Sequence, residues 1–255
     1  MNIRVPLAKP ASTCIHLADG QFPFHDHRLW RLLIRFIHDL QPTFIVNHGD
    51  AAECYHWSRY DKNPLDSPLG CYRWDADAEI GAVQESWTEL HDASPRSKFL
   101  YTLGNHEDRV RLYKPRVAAS TITRADNFVD LFRANKWWDH ICEYGYGIRL
   151  GKLWLTHGHT CVEFAAKKML REWGCSVAFG HTHKMDMKIE SPKGDSIRGA
   201  WGIPCHCILD PHFVTQPGWI HGFAFSQFAQ SGQFSIQVFP IVNHAFVFGK
   251  TLYKG

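Results

Sequence analysis

The chain has 255 residues, of which 45% are hydrophobic and 21% are charged, and its formal net charge at pH 7 is +3. This composition is typical of a globular protein and excludes a disordered or fibrous chain. The small net charge does not indicate a dedicated nucleic-acid-binding protein, although it permits contact with nucleic acid.

The sequence contains neither a membrane-spanning run of about 18 apolar residues nor the apolar core of a secretory leader within 1–10. We therefore expect a soluble, cytoplasmic protein that has no membrane partner and whose eight cysteines are free thiols. Because no Pro/Ser-rich linker divides the chain, residues 1–255 are predicted to form a single domain.

Five short apolar runs are predicted to be buried strands, because each is only a few residues long and stops at glycine or polar residues. Each run leads directly into a cluster of small and ligand-type residues. The runs, each with its cluster, are Thr13 to Leu17 with 18–21, Thr43 to Val46 with 47–50, Phe99 to Leu103 with 104–107, Leu153 to Leu155 with 156–159, and Ser176 to Phe179 with 180–183.

Amphipathic helices are predicted between these strands. Apolar residues recur at helical spacing from Trp30 to Ile37, before Pro42, and again from Val162 to Trp173, where Gly174 is a plausible stop. Alternating strands and helices predict an α/β fold with a largely parallel sheet. In such sheets ligands gather at the carboxyl ends of strands, which is where all five clusters fall.

Two regions depart from this alternation. An insertion at about 54–96 contains one predicted helix, Ala76 to Leu90, and could be a lid, a small core of its own or a platform for a base. From about Tyr144 onward, short runs with turns predict antiparallel strands, and the C-terminal third is expected to form a second sheet packed on the first. The aromatic residues of the insertion are Tyr55, Trp57, Tyr60, Tyr72 and Trp74.

The strand ends supply carboxylate, amide and imidazole groups together. Pooled in chain order, these candidate metal ligands are Asp19, Gln21, Asp50, Asn105, His157, His181 and His183. A single ion cannot use all seven, whereas two ions that share one carboxylate can. Two-metal sites with ions about 3.5–4 Å apart are typical of enzymes that hydrolyse phosphate esters.

The same residues resemble the calcineurin-like metallophosphoesterase superfamily. Its pattern, D-x-H, G-D, G-N-H-[DE], H and G-H-x-H, is matched in four of five blocks over residues 19–183. The tail looks like small members of that superfamily from phage and bacteria, on the residues Trp201-Gly202 through Cys205-His206-Cys207, Asp210-Pro211 and Trp219-Ile220-His221-Gly222-Phe223. The resemblance implies a β-sandwich of two mixed sheets flanked by helices, in α/β-β/α layers, and a metal-dependent phosphoric ester hydrolase.

The resemblance also implies residue roles. One metal would be held by Asp19, Gln21, Asp50 and His183, and the other by Asp50, Asn105, His157 and His181. The catalytic residues that the resemblance implies are His106, which would contact the phosphate and protonate the leaving oxygen, and Glu107, which would orient it. Arg109, close behind His106 in the chain, is a further candidate catalytic residue that would reach the phosphate. A metal-bound hydroxide would be the nucleophile.

Gln21 departs from the family pattern, which has histidine at this position. An amide oxygen is a harder and weaker ligand, so Mn²⁺ is the expected metal, with Mg²⁺, Fe or Zn²⁺ as alternatives. The first motif of this chain, D-x-Q in place of D-x-H, resembles the first motif of Mn²⁺-dependent ADP-ribose/CDP-alcohol diphosphatases. His25 or His27 could replace Gln21 as ligand, and Cys205-His206-Cys207 could bind Zn²⁺ or simply pack in the core.

We therefore expect hydrolysis of a phosphodiester or pyrophosphate, with a nucleotide or another phosphorylated small molecule as substrate. The alternatives are a DNA nuclease of the same superfamily, a protein phosphatase and a non-catalytic binding protein. The basic stretch Arg109, Arg111, Lys114 and Arg116 could contact phosphate or be a solvated helix face. The sequence does not specify the oligomeric state.

Overall fold

The computed structural model describes residues 1–7, 11–58, 76–113, 127–192, 197–210 and 218–255. The strands in these ranges are β1 (Ile3–Val5), β2 (Ala11–Leu17), β3 (Phe44–Asn47), β4 (Lys98–Thr102), β5 (His140–Cys142), β6 (Ile148–Leu150), β7 (Leu153–Thr156), β8 (Val177–Phe179), β9 (Asp186–Glu190), β10 (Arg198–Gly202), β11 (Gly222–Ala229), β12 (Phe234–Pro240), β13 (Ala245–Phe248) and β14 (Thr251–Lys254). The helices are α1 (His27–Leu40), α2 (Ala76–Ala93), α3 (Asn105–Tyr113), α4 (Phe128–Leu131) and α5 (Ala165–Trp173), with short 3-10 helices at Tyr55–Trp57 and Ala134–Lys136.

Within the described ranges, the strands form two mixed six-stranded sheets and one hairpin. The first sheet has the order β12-β11-β2-β3-β4-β5 and the second has the order β1-β6-β7-β8-β10-β9, while β13 pairs with β14. Strands β2, β3, β4 and β5 run parallel, as do β7, β8 and β10. The predicted α/β fold of two mixed sheets with flanking helices is confirmed.

The prediction for the C-terminal third is wrong in its sheet assignment and partly in strand direction, because β8 pairs in parallel with β7 and β10. Strands β11 and β12 join the first sheet, where β11 pairs antiparallel with β2 from Ala224↔His16 to Ala229↔Ala11. The second sheet takes β1 from the N-terminus instead, paired in parallel with β6. Local alternation predicts that a segment is a strand, but strand partners separated by some 200 residues are chosen by tertiary packing.

Apolar side chains fill three layers of contact. The facing sides of the two sheets bury residues such as Phe44, Leu100, Leu155 and Ala178 against one another. The outer side of the first sheet is covered by α1, α2 and α4, and the outer side of the second sheet by α5. This α/β-β/α layering buries both faces of each sheet, which explains why the parallel strands are continuous apolar runs.

The helix boundaries have local causes. Helix α1 begins after Asp26, whose side chain accepts from the backbone N–H groups of Arg28 and Leu29, and it ends at Gln41 in a left-handed conformation. Helix α5 ends at Gly174 as predicted, with φ 64°, but it begins at Ala165, later than the predicted Val162. Val162 and Phe164 are exposed, so the apolar pattern continues outside the helix.

The insertion is only partly described. Its helix, α2, extends to Ala93 and packs against α1, with Val83, Trp87 and Leu90 buried. Trp57 is also buried, and its ring centroid lies 5.8 Å from that of Phe132. This part of the insertion therefore belongs to the core and is not a lid. Tyr60, Tyr72 and Trp74 lie outside the described residues.

None of the helices in the described ranges is both long enough and apolar enough to cross a lipid bilayer. The cysteines in those ranges are free thiols, at positions 14, 54, 142, 161, 175, 205 and 207.

The α1 packing yields a stability prediction. Leu33 is fully buried between α1 and the first sheet, so Leu33→Ala should remove apolar contacts and leave a cavity that costs about 2–5 kcal/mol of unfolding free energy. Arg31→Ala, on the exposed side of the same helix, is the matched control and should change stability by less than about 0.5 kcal/mol. Urea denaturation followed by circular dichroism measures both, and equal midpoints would contradict this packing.

Candidate metal centre

The five ligand-bearing loops meet at one end of the sandwich. Three of them follow β2, β3 and β4 of the first sheet, and two follow β7 and β8 of the second. The chain turns sharply at these strand ends, where non-glycine residues take left-handed conformations that each cost about 1–3 kcal/mol. These residues, with φ between 48° and 71°, are Asp19, Gln21, Asp50, His181 and His183.

The first group of ligand-type atoms surrounds Nε2 of His157. This nitrogen lies 3.3 Å from Asp50 Oδ2, 3.0 Å from Asn105 Oδ1 and 3.1 Å from His181 Nδ1. The Asp50, His157 and His181 atoms come within the mutual reach that a single ion needs. Four of the predicted ligands are therefore together, although they come from both sheets.

The second group surrounds Nε2 of His183. This nitrogen lies 3.3 Å from Asp19 Oδ1 and 3.3 Å from the Gln21 side-chain amide nitrogen. A half-turn of the amide would place the Gln21 oxygen at the same position, which is the atom a metal would use. The two groups adjoin through His181, whose backbone N–H donates to the Asp19 carboxylate at 2.9 Å.

The spacing of these atoms fits divalent ions. Donors placed about 2.0–2.2 Å from one ion lie about 2.8–3.1 Å from each other in octahedral geometry and about 3.3–3.6 Å in tetrahedral geometry. The distances around His157 and His183 fall in these intervals, and the donors are the oxygen and nitrogen types that such ions bind. The residues present therefore fit two divalent ions, with His157 and His183 each placing a nitrogen among oxygens.

A hydrogen bond fixes the orientation of His157. Its Nδ1 lies 2.7 Å from the backbone oxygen of His48 and donates a proton to it, so Nε2 is the ring nitrogen that points into the group. His48 is held in turn by its own contacts with the Thr156 carbonyl and with His16, whose ring also meets Ser226. The sequence offered no signal for His16 and Ser226, because both come from mid-strand positions.

Glycines allow the loops to approach closely. A Cβ on Gly104 would lie 2.1 Å from Asp50 Oδ1, and one on Gly49 would lie 2.4 Å from His157 Nδ1. Gly180 is similar, since its Cβ would be 2.9 Å from Asp19 Oδ2. The glycines of the sequence motifs are thus required by the contact between backbone and ligand.

Glu107 does not contact His106 as predicted. Its carboxylate accepts from the backbone N–H groups of Asp50, Ala52 and Gly104 and from the hydroxyl of Tyr101, at 2.6–3.2 Å. The side chain is buried and joins the loop after β3 to the loop after β4. Helical geometry explains the difference, because consecutive residues of α3 point in different directions.

The carboxylate beside His106 belongs to Glu53, which the sequence analysis missed. Nδ1 of His106 lies 3.1 Å from Glu53 Oε2, and Nε2 lies 3.7 Å from Asp50 Oδ2. Arg109 donates to the Glu53 carbonyl at 2.7 Å and to its Oε1 at 3.1 Å, so its guanidinium is held by Glu53. Glu53 stands three residues after Asp50, but no motif marked it.

The other histidines and basic residues are accounted for as follows. His25 lies against the rings of Phe22 and His27, at 4.0 and 4.2 Å, and neither His25 nor His27 is among the groups described above. Arg111 pairs with Asp108, and His159 pairs with Glu172. Lys114 and Arg116 lie outside the described residues.

Cys205 and Cys207 are buried beside His183, with Cys207 Sγ 3.4 Å from His183 Nδ1. The two thiols and that imidazole lie close enough together to hold an ion. Both thiols of the Cys205-His206-Cys207 segment are therefore packed in the core, and they also lie next to one of the candidate metal ligands, His183.

The three histidines of the candidate metal centre differ in protonation when no metal is bound. Burial lowers the pKa of His157, but attraction to the Asp50 carboxylate outweighs it and brings the pKa to about 9. Burial likewise opposes the charged form of His183, yet the Asp19 carboxylate holds its pKa well above the usual range. Burial and the neighbouring His157 lower the pKa of His181 to about 4, so this ring is neutral.

No family model matches the chain. It is similar to the Gene 54 protein of Mycobacterium phage D29, with 24% identity over 195 residues, 68% of this chain and 69% of that protein. The Gene 54 protein of Mycobacterium phage L5 is 23% identical over 189 residues, with the same shares of each chain.

Weak similarity to solved structures extends over most of the chain. A single mutant of Vps29 from Entamoeba histolytica has a TM-score of 0.46 at 11% identity, covering 91% of this chain and 93% of that one. Yfce, a phosphoesterase from E. coli, has a TM-score of 0.40 at 12% identity, covering 88% and 96%.

The close approach of Gly104 to Asp50 can be tested directly. Gly104→Ala should displace Asp50 and weaken metal binding by at least about tenfold, because the new Cβ would overlap the carboxylate. Gly81→Ala, in an open position of α2, is the control and should leave metal binding unchanged. Calorimetric titration with Mn²⁺ measures both affinities, and equal values would contradict the close approach.

Metal affinity should also depend on pH in a defined direction. Ion binding must displace the proton of His157, whose pKa is about 9 in the metal-free protein, so affinity should rise as the pH approaches that value. Each displaced proton changes the affinity by up to about tenfold per pH unit below the pKa. Titrations between about pH 6.5 and 8.5 measure the slope, and a flat profile would contradict the protonation described here.

Proposed function

We propose that the chain is a phosphoesterase that uses two divalent ions to hydrolyse a phosphodiester or pyrophosphate bond. One observation carries the proposal: seven ligand-type side chains from five loops of two different sheets form two adjoining groups with donor spacings that fit metal ions. Packing alone gives no reason to bury so many carboxylate, amide and imidazole groups at one end of a sandwich.

We assign one ion to Asp19, Gln21, Asp50 and His183 and the other to Asp50, Asn105, His157 and His181, with Asp50 shared. Two ions bound there would lower the pKa of a bound water and neutralise the charge of a phosphate group. The amide of Gln21 favours Mn²⁺, because a neutral oxygen is a hard ligand.

His106 is assigned the transfer of a proton to the leaving oxygen. Burial lowers the pKa of His106, but the Asp50 and Glu53 carboxylates outweigh this and raise it, which favours the protonated ring that a proton donor needs. About 12% of its side chain is exposed, which lets a substrate reach it. Glu53 orients the ring, and Arg109 acts as a positioning residue through Glu53, while Glu107 holds the loops together.

A nucleotide substrate is supported by two aromatic side chains beside the metal groups. The ring centroid of Trp219 lies 4.2 Å from that of His183, and that of Tyr144 lies 6.0 Å from that of His157. Both residues are partly exposed. Aromatic faces stack on bases without regard to sequence, so either ring can hold a nucleobase while the phosphate lies near Asp50.

The test is turnover with defined metals. Metal-stripped protein resupplied with Mn²⁺, Mg²⁺ or Zn²⁺ should hydrolyse a chromogenic phosphodiester and a nucleotide pyrophosphate, with the highest rate in Mn²⁺. Asp50→Asn should reduce turnover to background, whereas His106→Ala should lower kcat by about 10²- to 10⁴-fold without loss of metal content. Asp39→Asn, on the exposed side of α1, is the control for general damage.

The remaining outcomes distinguish the alternatives. Salt-sensitive cleavage of DNA would favour a nuclease, and turnover of a phosphopeptide alone would favour a protein phosphatase. Metal binding at normal affinity without turnover of any diester, pyrophosphate, monoester, DNA or phosphopeptide would overturn the proposal in favour of a binding protein.

A further inference from the structure

A further group of ligand-type side chains lies apart from the groups around His157 and His183. It consists of Asp26, His221 and His244, which come from the start of α1, the loop before β11 and the turn before β13. One carboxylate oxygen and one ring nitrogen from each histidine lie within 4.8 Å of one another. The closest pair, His244 Nε2 and Asp26 Oδ2, is 2.9 Å apart.

Asp26 and His221 each have one side-chain atom engaged elsewhere, which leaves the other atom of each as the ligand. Asp26 Oδ1 caps α1 by accepting from Arg28 and Leu29, so Oδ2 is the oxygen directed at His244. Nε2 of His221 lies 2.8 Å from the Cys207 carbonyl oxygen and carries the proton, which leaves the lone pair on Nδ1. A carbonyl partner of this kind is the usual support of a metal-binding histidine.

The backbone at His244 has a left-handed conformation. Asn243 and His244 are the central residues of a two-residue hairpin turn closed by reciprocal hydrogen bonds between Val242 and Ala245, and their φ angles are 50° and 54°. A turn of this type favours Asn-Gly, because glycine takes a positive φ without strain. His244 occupies the second central position, where it takes this strained conformation and its imidazole lies beside Asp26.

The group is also reachable from solvent and joins distant parts of the chain. Side chains of Asp26 and His244 are 22% and 25% exposed, whereas His221 is buried. Asp26 and His221 both contact the backbone of the 205–207 loop, through the carbonyls of His206 and Cys207. That loop carries the thiols that lie against His183.

We propose that Asp26, His221 and His244 bind one divalent transition-metal ion of the Zn²⁺ type, separate from the two ions of the candidate metal centre. Two imidazoles and one carboxylate are a donor set for Zn²⁺, Co²⁺ or Fe²⁺ and not for Mg²⁺ or Ca²⁺, which prefer oxygen. Solvent would complete the coordination on the exposed side. The ion fastens the C-terminal hairpin to α1 and to the 205–207 loop.

The experiment uses Co²⁺ as a spectroscopic probe and Zn²⁺ as the stabilising ion. In an Asp19→Asn/Asp50→Asn background, which weakens the candidate metal centre, one equivalent of Co²⁺ should still bind and give visible absorption. Adding His244→Asn should abolish that signal while leaving the fold intact, because asparagine tolerates a positive φ. Asp26→Asn is the second variant, since asparagine keeps the helix cap and weakens the metal ligand.

His38→Asn, a change at an exposed histidine of α1, is the matched control and should bind Co²⁺ like the background protein. In the otherwise native chain, saturating Zn²⁺ should raise Tm by on the order of 5 °C more than in His244→Asn, and EDTA should remove the difference. Equal Co²⁺ stoichiometry and equal Zn²⁺ shifts in His244→Asn and His38→Asn would overturn the proposal. Neither result depends on turnover, so this inference and the proposed activity can fail separately.

Discussion

The carboxylate of Glu107 is the contact on which the candidate metal centre depends. It accepts from the backbone N–H groups of Asp50, Ala52 and Gly104 and from the Tyr101 hydroxyl, all away from bulk water. Burial and the nearby Asp50 charge raise the pKa of Glu107, because both disfavour a charged carboxylate at this position. The four hydrogen-bond donors offset this cost by stabilising the carboxylate. With the loop after β3 fixed to the loop after β4, the left-handed turn at Asp50 is maintained and its carboxylate stays among the imidazoles.

The junction between the two sheets is the second constraint. Asp19, Asp50 and Asn105 follow strands of one sheet, whereas His157, His181 and His183 follow strands of the other. A polar chain from Ser226 through His16 and His48 to His157 crosses this junction. It couples the orientation of a candidate metal-binding imidazole to the packing between the sheets, so the precision of the site comes from the sandwich as a whole.

In the metal-free protein, protons on His157 and His183 balance the buried carboxylates, and those protons are what a metal ion would replace.

The limits of sequence reasoning follow from the range of each interaction. The five strand ends and their ligand-type residues were predictable, because short apolar runs and motif spacing are local features. Glu53 was not, since a carboxylate three residues beyond Asp50 acquires its meaning only from its 3.1 Å approach to His106. The same holds for Glu107, which stands beside His106 in the chain and points elsewhere in α3. The cluster joins Asp26 to His221 and His244, which lie roughly 200 residues later in the chain and share no motif with it.

The sequence by itself determined the five ligand-bearing strands, the helices α1, α2 and α5, the stop at Gly174, the α/β class and the identity of the ligand-type residues, because periodicity, turn residues and side-chain chemistry are local features. Only the tertiary structure decided that β1 joins the second sheet, that β11 and β12 join the first, and which carboxylate faces which histidine. Strand partners and side-chain neighbours are set by burial of apolar faces between distant segments, and these contacts form only when those segments pack together in the folded protein.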